Sequence, residues 1–206
     1  SQCEPIESHH EYLCRTRGIP LDLLTSPRLH NRIRQCPKRG SVIFPHWGRP
    51  IDTETEDRCL VGYEIKGPQI NLFSKGGRKG LWMSAGFVTD HTLAFSESGL
   101  DAISYLKARG GEDIRVASMS GRMNPHQPAL IRSAINRMGQ GSRIVAAFDN
   151  DEAGDQLTQQ LAEIVASCER PDVQFVDDRP QMRGCDWNSV LCKLPTSTCG
   201  PSARHG

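Results

Sequence analysis

Residues 142–168 read SRIVAAFDNDEAGDQLTQQLAEIVASC, an apolar run that ends in acidic residues and is followed by a helical pattern. Leu157, Leu161 and Ile164 recur at the spacing of one helix face, and the preceding run is typical of a buried strand. Similar strand and helix pairs occupy 91–109 and 114–138, and a last pair occupies 172–177 and 187–194. This alternation predicts an α/β fold, a parallel sheet with helices on both faces.

The chain before Gly86 has a different sequence pattern, one of short β-like runs rather than alternating strands and helices. Short β-like runs, separated by Gly, Pro and charged residues, read SVIFPHW (41–47), CLVGYEI (59–65), INLFS (70–74) and LWMS (81–84). Short helices are predicted within 7–17 and 18–24. We therefore expect two domains: a small N-terminal α+β module with antiparallel strands over 1–86, and an α/β domain over 87–206.

Composition excludes several classes of protein. The 206 residues carry a net charge of +1, so no global basic field marks the chain as a nucleic-acid binder. No apolar run approaches a membrane span, and the first residues lack the layout of a signal peptide, so we expect a cytoplasmic location. Eight cysteines include no CxxC pair, which favours reduced thiols over a zinc site.

Acidic residues follow the predicted strands of the second half. They are Glu97 after the first strand, Asp149 and Asp151 after the third, and Asp177, Asp178 and Asp186 after the fourth. The carboxyl ends of parallel strands meet at one edge of a sheet, so these carboxylates could share a Mg²⁺ ion. Plainer interpretations stay open: Asp151 as a helix cap, Glu97 as a solvated turn residue, and Asp101, four residues after Glu97, as an exposed residue of the first helical turn.

Basic and aromatic residues in the first half suggest contacts with nucleic acid. Lys75, Arg78 and Lys79 lie in the Gly-rich segment SKGGRKG (74–80), which could bind phosphate or could be a hairpin turn with exposed charges. A second basic group comprises Arg28, Arg32, Arg34, Lys38 and Arg39. Trp47, Phe73 and Trp82 could stack on bases, although core positions are expected for at least two of them.

Three segments of the second half resemble the motifs of Toprim domains. They are TLAFSESGLDAISYL (92–106), RIVAAFDNDEAGDQLTQQL (143–161) and CDWNSVL (185–191), in the order that the family shows. The first half resembles the module that precedes Toprim in plasmid-mobilisation (relaxase-associated) and mobile-element primase proteins. The segments that carry this resemblance are YLCRTRGIPLDLL (12–24), SVIFPHW, LVGYEIKG (60–67) and LFSKGGRKGLWMS (72–84).

The resemblance implies a site for Mg²⁺ or Mn²⁺ with Asp149 and Asp151 as principal ligands. Glu97 matches the family's glutamate, a general acid or base or a further ligand. Asp186 matches an acidic position that supports a second metal or the basic edge of the site. Two departures stand out: Ser98 where many members have Gly, and Cys185 where Lys usually precedes the acid. The missing lysine removes one possible phosphate contact.

The implied activity is primase-like nucleotidyl transfer on single-stranded DNA, with nucleotides as substrates and a relaxase or helicase as a further partner. A Toprim nuclease and a non-catalytic DNA-binding accessory domain stay open as alternatives. A receiver-like protein is disfavoured because the late strand DVQFVDD (172–178) has no Lys, and the tyrosines show no topoisomerase signature. No P-loop is present, so a motor protein is excluded.

Overall fold

The computed structural model describes residues 3–50 and 57–193, which form two five-stranded sheets. The first sheet is antiparallel and follows chain order: β1 (Glu4–Pro5), β2 (Arg34–Cys36), β3 (Ser41–Gly48), β4 (Cys59–Gly67) and β5 (Ile70–Phe73). A π-helical segment, Glu11–Thr16, and the short helix α1 (Leu21–Leu24) lie between β1 and β2. The helix predicted within 7–17 is therefore shorter than expected, and the antiparallel first half is confirmed.

The second sheet has the strand order β10-β9-β7-β8-β6. Its parallel strands are β7 (Thr92–Ser96), β8 (Ile114–Ser118), β9 (Arg143–Ala146) and β10 (Gln174–Asp177). The helices are α2 (Gly99–Arg109), α3 (Gln127–Asn136), α4 (Glu152–Ala166) and α5 (Trp187–Lys193). The predicted α/β fold is confirmed. The edge strand β6 (Trp82–Met83) runs antiparallel to β8, so the sheet is mixed rather than wholly parallel.

Alternating side chains of the parallel strands fill two apolar layers. Ala94 and Val116 pack with α2, α5 and the N-terminal segment, whereas Phe95 and Ile144 pack with α3 and α4. Because both faces are covered, the strands read as continuous apolar runs in the sequence. No helix in the described ranges is long and apolar enough to cross a bilayer.

The two sheets share one of these layers. Leu13 and Ile19 of the N-terminal segment are fully buried in the cluster that contains Ile103 of α2. Phe44 of β3 packs edge-to-face on Trp82 of β6, with ring centroids 5.3 Å apart. This packing holds one face of the first sheet against the second. The division at residue 86 stays a prediction, and β6, which precedes it, belongs to the second sheet.

Candidate active site at the carboxyl edge of the second sheet

The strand order places a crevice beside β7. The chain leaves β7 through α2 toward β8, and later reaches β9 on the opposite side of β7. Where connections diverge in this way, the carboxyl ends of the strands bind ligands. Glu97 follows β7 and Asp149 follows β9, so these two predicted residues lie on either side of the crevice.

A cavity of about 530 Å³ opens at this edge. Its acidic lining residues are Glu64, Glu97, Asp101, Asp149 and Asp186, and its basic lining residues are Arg17, Lys66 and Lys79. Three of the predicted carboxylates, Glu97, Asp149 and Asp186, therefore meet in one cavity, whereas Asp151 is not among its lining residues. The acids come from the second sheet and β4, and the three cations come from the N-terminal part of the chain. A substrate in this cavity would contact both halves of the protein.

Helix α2 begins directly after Glu97 and orients the first of these carboxylates. Ser98 is the N-cap of α2, and its Oγ accepts a hydrogen bond from the backbone N–H of Asp101 at 3.2 Å. The same hydroxyl donates to the Asp101 carboxylate. Gly99 follows because a Cβ there would overlap the buried ring of Phe44. Ser98, a departure from the family pattern, thus serves as a helix cap in this chain.

Helix α4 begins at the second acidic motif in a similar way. Asp151 is its N-cap, and Asp151 Oδ1 accepts the backbone N–H of Gly154 at 2.8 Å. The capping interpretation of Asp151 is therefore correct, and the cap occupies one of its two oxygens. A Cβ at Gly154 would overlap the backbone carbonyl of Asp149. The glycine lets the helix start close against the strand end that carries Asp149.

The carboxylates in the crevice influence one another. Burial, followed by the charges of Asp151 and Asp101, raises the pKa of Glu97 to about 7, although the Asp149 backbone N–H and Lys66 oppose the shift. Burial, followed by the charges of Asp101, Glu97, Asp186 and Asp151, raises the pKa of Asp149 to about 8. Like charges in a partly dry site favour protons or a cation. Asp151 is thus electrostatically coupled to Glu97 and Asp149.

Two buried oxygen atoms in the crevice fit a divalent cation. Glu97 Oε1 and Asp149 Oδ1 are buried and have no hydrogen-bond partner. Within residues 3–50 and 57–193, no three His, Cys, Asp or Glu side chains are gathered closely enough to hold a metal ion by themselves. Mg²⁺ commonly takes one or two protein carboxylates and completes its shell with water and phosphate. These two oxygens therefore fit a divalent cation that completes its shell with water and phosphate.

Residues from β4 reach the same cavity, and no sequence motif indicated this. Glu64 is buried and accepts the backbone N–H of Gly99 at 2.9 Å, and Lys66 Nζ lies 3.1 Å from the other Glu64 oxygen. Lys66 also contacts Asn71 Oδ1 at 2.8 Å. A weak signal does exist, because Glu64 and Lys66 alternate along one strand and share a face. Lys66 places a fixed positive charge beside the carboxylates.

Asp101 is buried, which corrects the interpretation that it is an exposed residue favouring the helix dipole. Its exposed fraction is 8%, and burial raises its pKa to about 6. The backbone N–H of Asn188 donates to Asp101 Oδ1 at 3.4 Å. The family motif pairs this aspartate with Glu97 four residues earlier, and that spacing is the sequence signal that points to a role in the site.

Asp186 and Asn188 come from the third motif. Asp186 lines the cavity, and its Oδ1 accepts the N–H of Ser189 at 2.6 Å, so it also caps α5. The side-chain amide of Asn188 donates to the backbone carbonyl of Arg17 at 2.9 Å. The third motif therefore ties α5 to the N-terminal segment, and Arg17 lines the cavity at this junction.

Several other predicted residues lie outside this lining. Asp177 forms an ion pair with Arg179, and Asp178 is bound by Arg109 and Tyr105, so neither acid joins the crevice. Lys79 lines the cavity, whereas Lys75 and Arg78 do not. Both lie in the segment after β5, where Gly76 has φ +74° and Gly77 N–H donates to Ser74 carbonyl, as in a tight turn. This segment is therefore a turn that leads from β5 to β6 of the second sheet rather than a hairpin, and of its three basic residues Lys79 alone lines the cavity.

The residues of the second basic group and the predicted aromatic residues differ in how far they are buried. Arg28 is buried and bound to Asp90 at 2.7 Å, which removes it from any phosphate-contacting surface. Trp82 is fully buried and Phe73 partly buried, as expected for core residues. Trp47 is 45% exposed.

Free thiols are present at Cys14, Cys36, Cys59, Cys168, Cys185 and Cys192.

Comparison with known proteins finds relatives for both halves of the chain. Residues 95–191 match a family model described as Toprim-like, and residues 11–90 match one described as a protein of unknown function, DUF3991. No curated protein matches the sequence.

Solved structures with a similar fold contain primase domains. One is a structure of the bacteriophage T7 lagging-strand DNA polymerase interacting with primase domains bound to an RNA/DNA hybrid and dTTP. Its sequence identity is 15% and its TM-score 0.50, and the match covers 86% of this chain and 82% of that chain. The primase fragment of the T7 primase-helicase protein gives 15% identity and a TM-score of 0.49, over 86% and 67%. A DNA primase domain from Pseudomonas aeruginosa gives 14% identity and 0.44, over 78% and 52%.

Proposed function

We propose that this chain, which carries a Toprim-like domain after a DUF3991 module, joins nucleotides on a single-stranded DNA template in a reaction that requires a divalent cation. The observation that carries the proposal is the pair of partnerless buried oxygens, Glu97 Oε1 and Asp149 Oδ1, at the diverging strand ends. Buried polar atoms are nearly always satisfied, so two of them in an acidic crevice point to a cation as their partner. The primase-like fold supports the same reaction class.

In this proposal Glu97 and Asp149 hold Mg²⁺ or Mn²⁺, Asp151 contributes the oxygen that its helix cap leaves free, and Asp186 supports a second ion. When bound, the cation would offset the negative charge of a nucleoside triphosphate. The 3′-hydroxyl of the growing strand would attack the α-phosphorus, and pyrophosphate would leave. In this proposal the proton of that hydroxyl passes to the Glu97 oxygen that does not contact the cation.

The cations of the cavity would position the triphosphate. Lys66 is held by Glu64 and Asn71, and both Lys66 and Lys79 line the cavity. Lys66 would provide a positive charge that Cys185 lacks at the position of the family's lysine. Lys75 and Arg78, the other residues of the Gly-rich segment, would contact phosphates further along the template.

We further propose that the chain acts in plasmids or other mobile elements, with a relaxase or helicase as its partner. Its support is the resemblance of residues 12–84 to modules of plasmid-mobilisation and mobile-element primase proteins. The same resemblance supports a cytoplasmic location. A pull-down from a host that carries the parent element, with the chain as bait, would test the partner.

The reaction is tested by incubating the protein with labelled nucleoside triphosphates, Mn²⁺ or Mg²⁺, and single-stranded DNA. We expect short labelled products that disappear in Asp149→Asn and in the presence of EDTA. Degraded template without products would instead indicate a Toprim nuclease, and bound but unchanged DNA would indicate an accessory domain. Either result contradicts nucleotide synthesis by this chain.

A further inference from the structure

The outer face of the first sheet forms a second and larger cavity. Its volume is about 830 Å³, and most of its lining residues come from β2, β3 and β4, together with Trp82 and Met83 of β6. Strand alternation separates the two faces of the sheet: Ile43, Pro45 and Trp47 face outward, whereas Phe44 packs against Trp82. The sheet thus has one face in the core and one face open to solvent.

Exposed apolar and aromatic side chains lie at the centre of this face. Trp47 is 45% exposed, Leu60 54% and Tyr63 37%. Tyr63 lies opposite Pro45 in the ladder between β3 and β4, and Trp47 lies opposite Leu60. A register shift in β3 separates these two pairs, between His46 and Trp47, and both aromatic side chains line the same cavity. Large exposed apolar groups that cluster in this way mark binding surfaces.

Basic residues surround the same cavity. Arg32, Arg34, Lys38 and Arg39 line it, and the described part of the chain contributes no acidic residue to its lining. A protein whose net charge is only +1 thus presents a locally cationic surface here. The positive charges and exposed apolar side chains of this surface complement single-stranded nucleic acid, which combines charged phosphates with flat bases that can stack.

From these features we infer that the outer face of the first sheet binds single-stranded DNA, with bases stacked on Trp47 and Tyr63 and phosphates bound by Arg34, Lys38 and Arg39. The inference deepens the proposed function, on which it rests for the identity of the nucleic acid. Ile70 at the start of β5 lines both this cavity and the acidic crevice. A template could therefore continue around β5 from one to the other. Stacking tolerates every base, so we expect binding with little sequence preference.

The native tryptophan fluorescence provides a direct test in the unaltered protein. The sequence contains three tryptophans, of which Trp82 and Trp187 are buried with exposed fractions of 1% and 3%. Acrylamide should therefore quench mainly Trp47. Addition of oligothymidylate, without nucleotides or divalent cations, should protect Trp47 from acrylamide or quench it directly. An unchanged fluorescence at oligonucleotide concentrations that saturate binding would overturn the assignment.

Substitutions of the two aromatic residues test whether DNA binding depends on stacking of the bases on their rings. Trp47→Leu and Tyr63→Leu retain apolar side chains without a ring, and we expect each to weaken oligothymidylate binding about tenfold in fluorescence anisotropy. The matched control is Phe87→Leu, whose ring is 44% exposed and lies outside this cavity. Full affinity in the Trp47 and Tyr63 variants would contradict the inference.

Charge variants test the binding of phosphates. Lys38→Gln with Arg39→Gln should lower the affinity and reduce the slope of log affinity against log salt by about 0.7 for each phosphate that the protein no longer neutralises. Lys107→Gln with Arg137→Gln, which also removes two exposed positive charges, should leave the slope unchanged. Equal slopes in the two double variants would argue against the surface.

The same experiments distinguish this inference from the proposed function and from a protein partner. Asp149→Asn, which tests catalysis, should bind oligothymidylate with unchanged affinity. Failure of nucleotide synthesis alongside intact, Trp47-dependent binding would therefore remove the activity and keep the surface. Self-association that Trp47→Leu abolishes, with DNA binding unaltered, would identify a second copy of the chain as the occupant and overturn the inference.

Discussion

The carboxylate of Glu64 in β4 accepts a hydrogen bond from the backbone N–H of Gly99, at a distance of 2.9 Å, at the first turn of α2. Gly99 lies two residues after Glu97. A buried anion of the first sheet therefore satisfies the positive end of the helix that begins at the proposed metal ligand. This bond joins the two halves of the chain at the centre of the candidate active site.

Replacing Glu64 should destabilise the fold. Glu64→Ala leaves the Gly99 N–H and the Lys66 ammonium without their buried partner, so we expect the free energy of unfolding to fall by about 1–3 kcal/mol. Urea denaturation would measure the decrease. Glu163→Ala is the control, because Glu163 is exposed and its change should stay within about 0.5 kcal/mol. Equal stability of the two variants would mean that the Glu64 bond does not hold the junction.

Substitutions at Asp151 can separate its cap from its charge. Asn is also a good N-cap, so Asp151→Asn should keep wild-type stability, whereas Asp151→Ala should be destabilised by about 1 kcal/mol because the Gly154 N–H loses its acceptor. Both variants should lose most of the cation-dependent activity if the carboxylate serves the metal. Thermal denaturation and the nucleotide-joining assay measure the two effects. An active Asp151→Asn would assign the residue to capping alone.

Gly154 should tolerate no side chain. In Gly154→Ala the new methyl group would meet the backbone carbonyl of Asp149, which cannot move as freely as a side chain. We expect a destabilisation of about 3 kcal/mol, at the upper end of the usual cost of overpacking. Gly139→Ala is a matched control, since its nearest neighbour is Ser142 Oγ at 4.0 Å. Similar unfolding midpoints for the two variants would contradict the close approach of α4 to Asp149.

His46 should make stability depend on pH. The side chain is fully buried and its Nδ1 lies 2.9 Å from the Gly80 carbonyl, which only accepts, so Nδ1 carries the proton. Burial lowers the pKa of His46 from 6.5 to about 4. Because the folded-state pKa is depressed, the stability that the neutral ring contributes is present above pH 6.5 and is lost as the pH falls toward 4.

The comparison variant is His46→Asn, which can donate to the same carbonyl but does not titrate. Between about pH 7.5 and pH 5 the wild type should lose about 2 kcal/mol more of its unfolding free energy than the variant. Denaturant titrations at the two pH values measure the difference, and the contributions of unrelated carboxylates cancel. Parallel pH profiles would show that folding does not lower the pKa of His46.

The architecture of the second half follows from local patterns in the sequence. Helices cover both faces of β9, so Ile144, Val145 and Ala146 are all apolar, and α4 keeps Leu157 and Leu161 on its inner face. The positions of Glu97 and Asp149 then follow from the rule that parallel strands end at a common edge. These features depend on residues that are close in sequence.

The contributions of the first half to the site depend on contacts between distant segments. Glu64 and Lys66 are ordinary alternating residues of β4, and only the packing of Phe44 on Trp82 directs their face toward the carboxylates. The same packing leaves Trp47 on the outer face. Asp101 is buried because α5 and the N-terminal segment cover it, through Asn188 and Arg17. A local sequence pattern does not specify which distant elements will cover it.

Direct measurement of Mn²⁺ binding by electron paramagnetic resonance tests most sharply whether Glu97 and Asp149 share a divalent cation. Titration of the protein into Mn²⁺, without nucleotides or DNA, should remove the signal of the free ion, and added Mg²⁺ should restore it by competition. Glu97→Gln and Asp149→Asn should each leave most of the signal free, while Asp57→Asn, an exposed acid away from the crevice, should bind as the wild type does. Equal Mn²⁺ binding by all four proteins would contradict a metal site at this edge of the sheet.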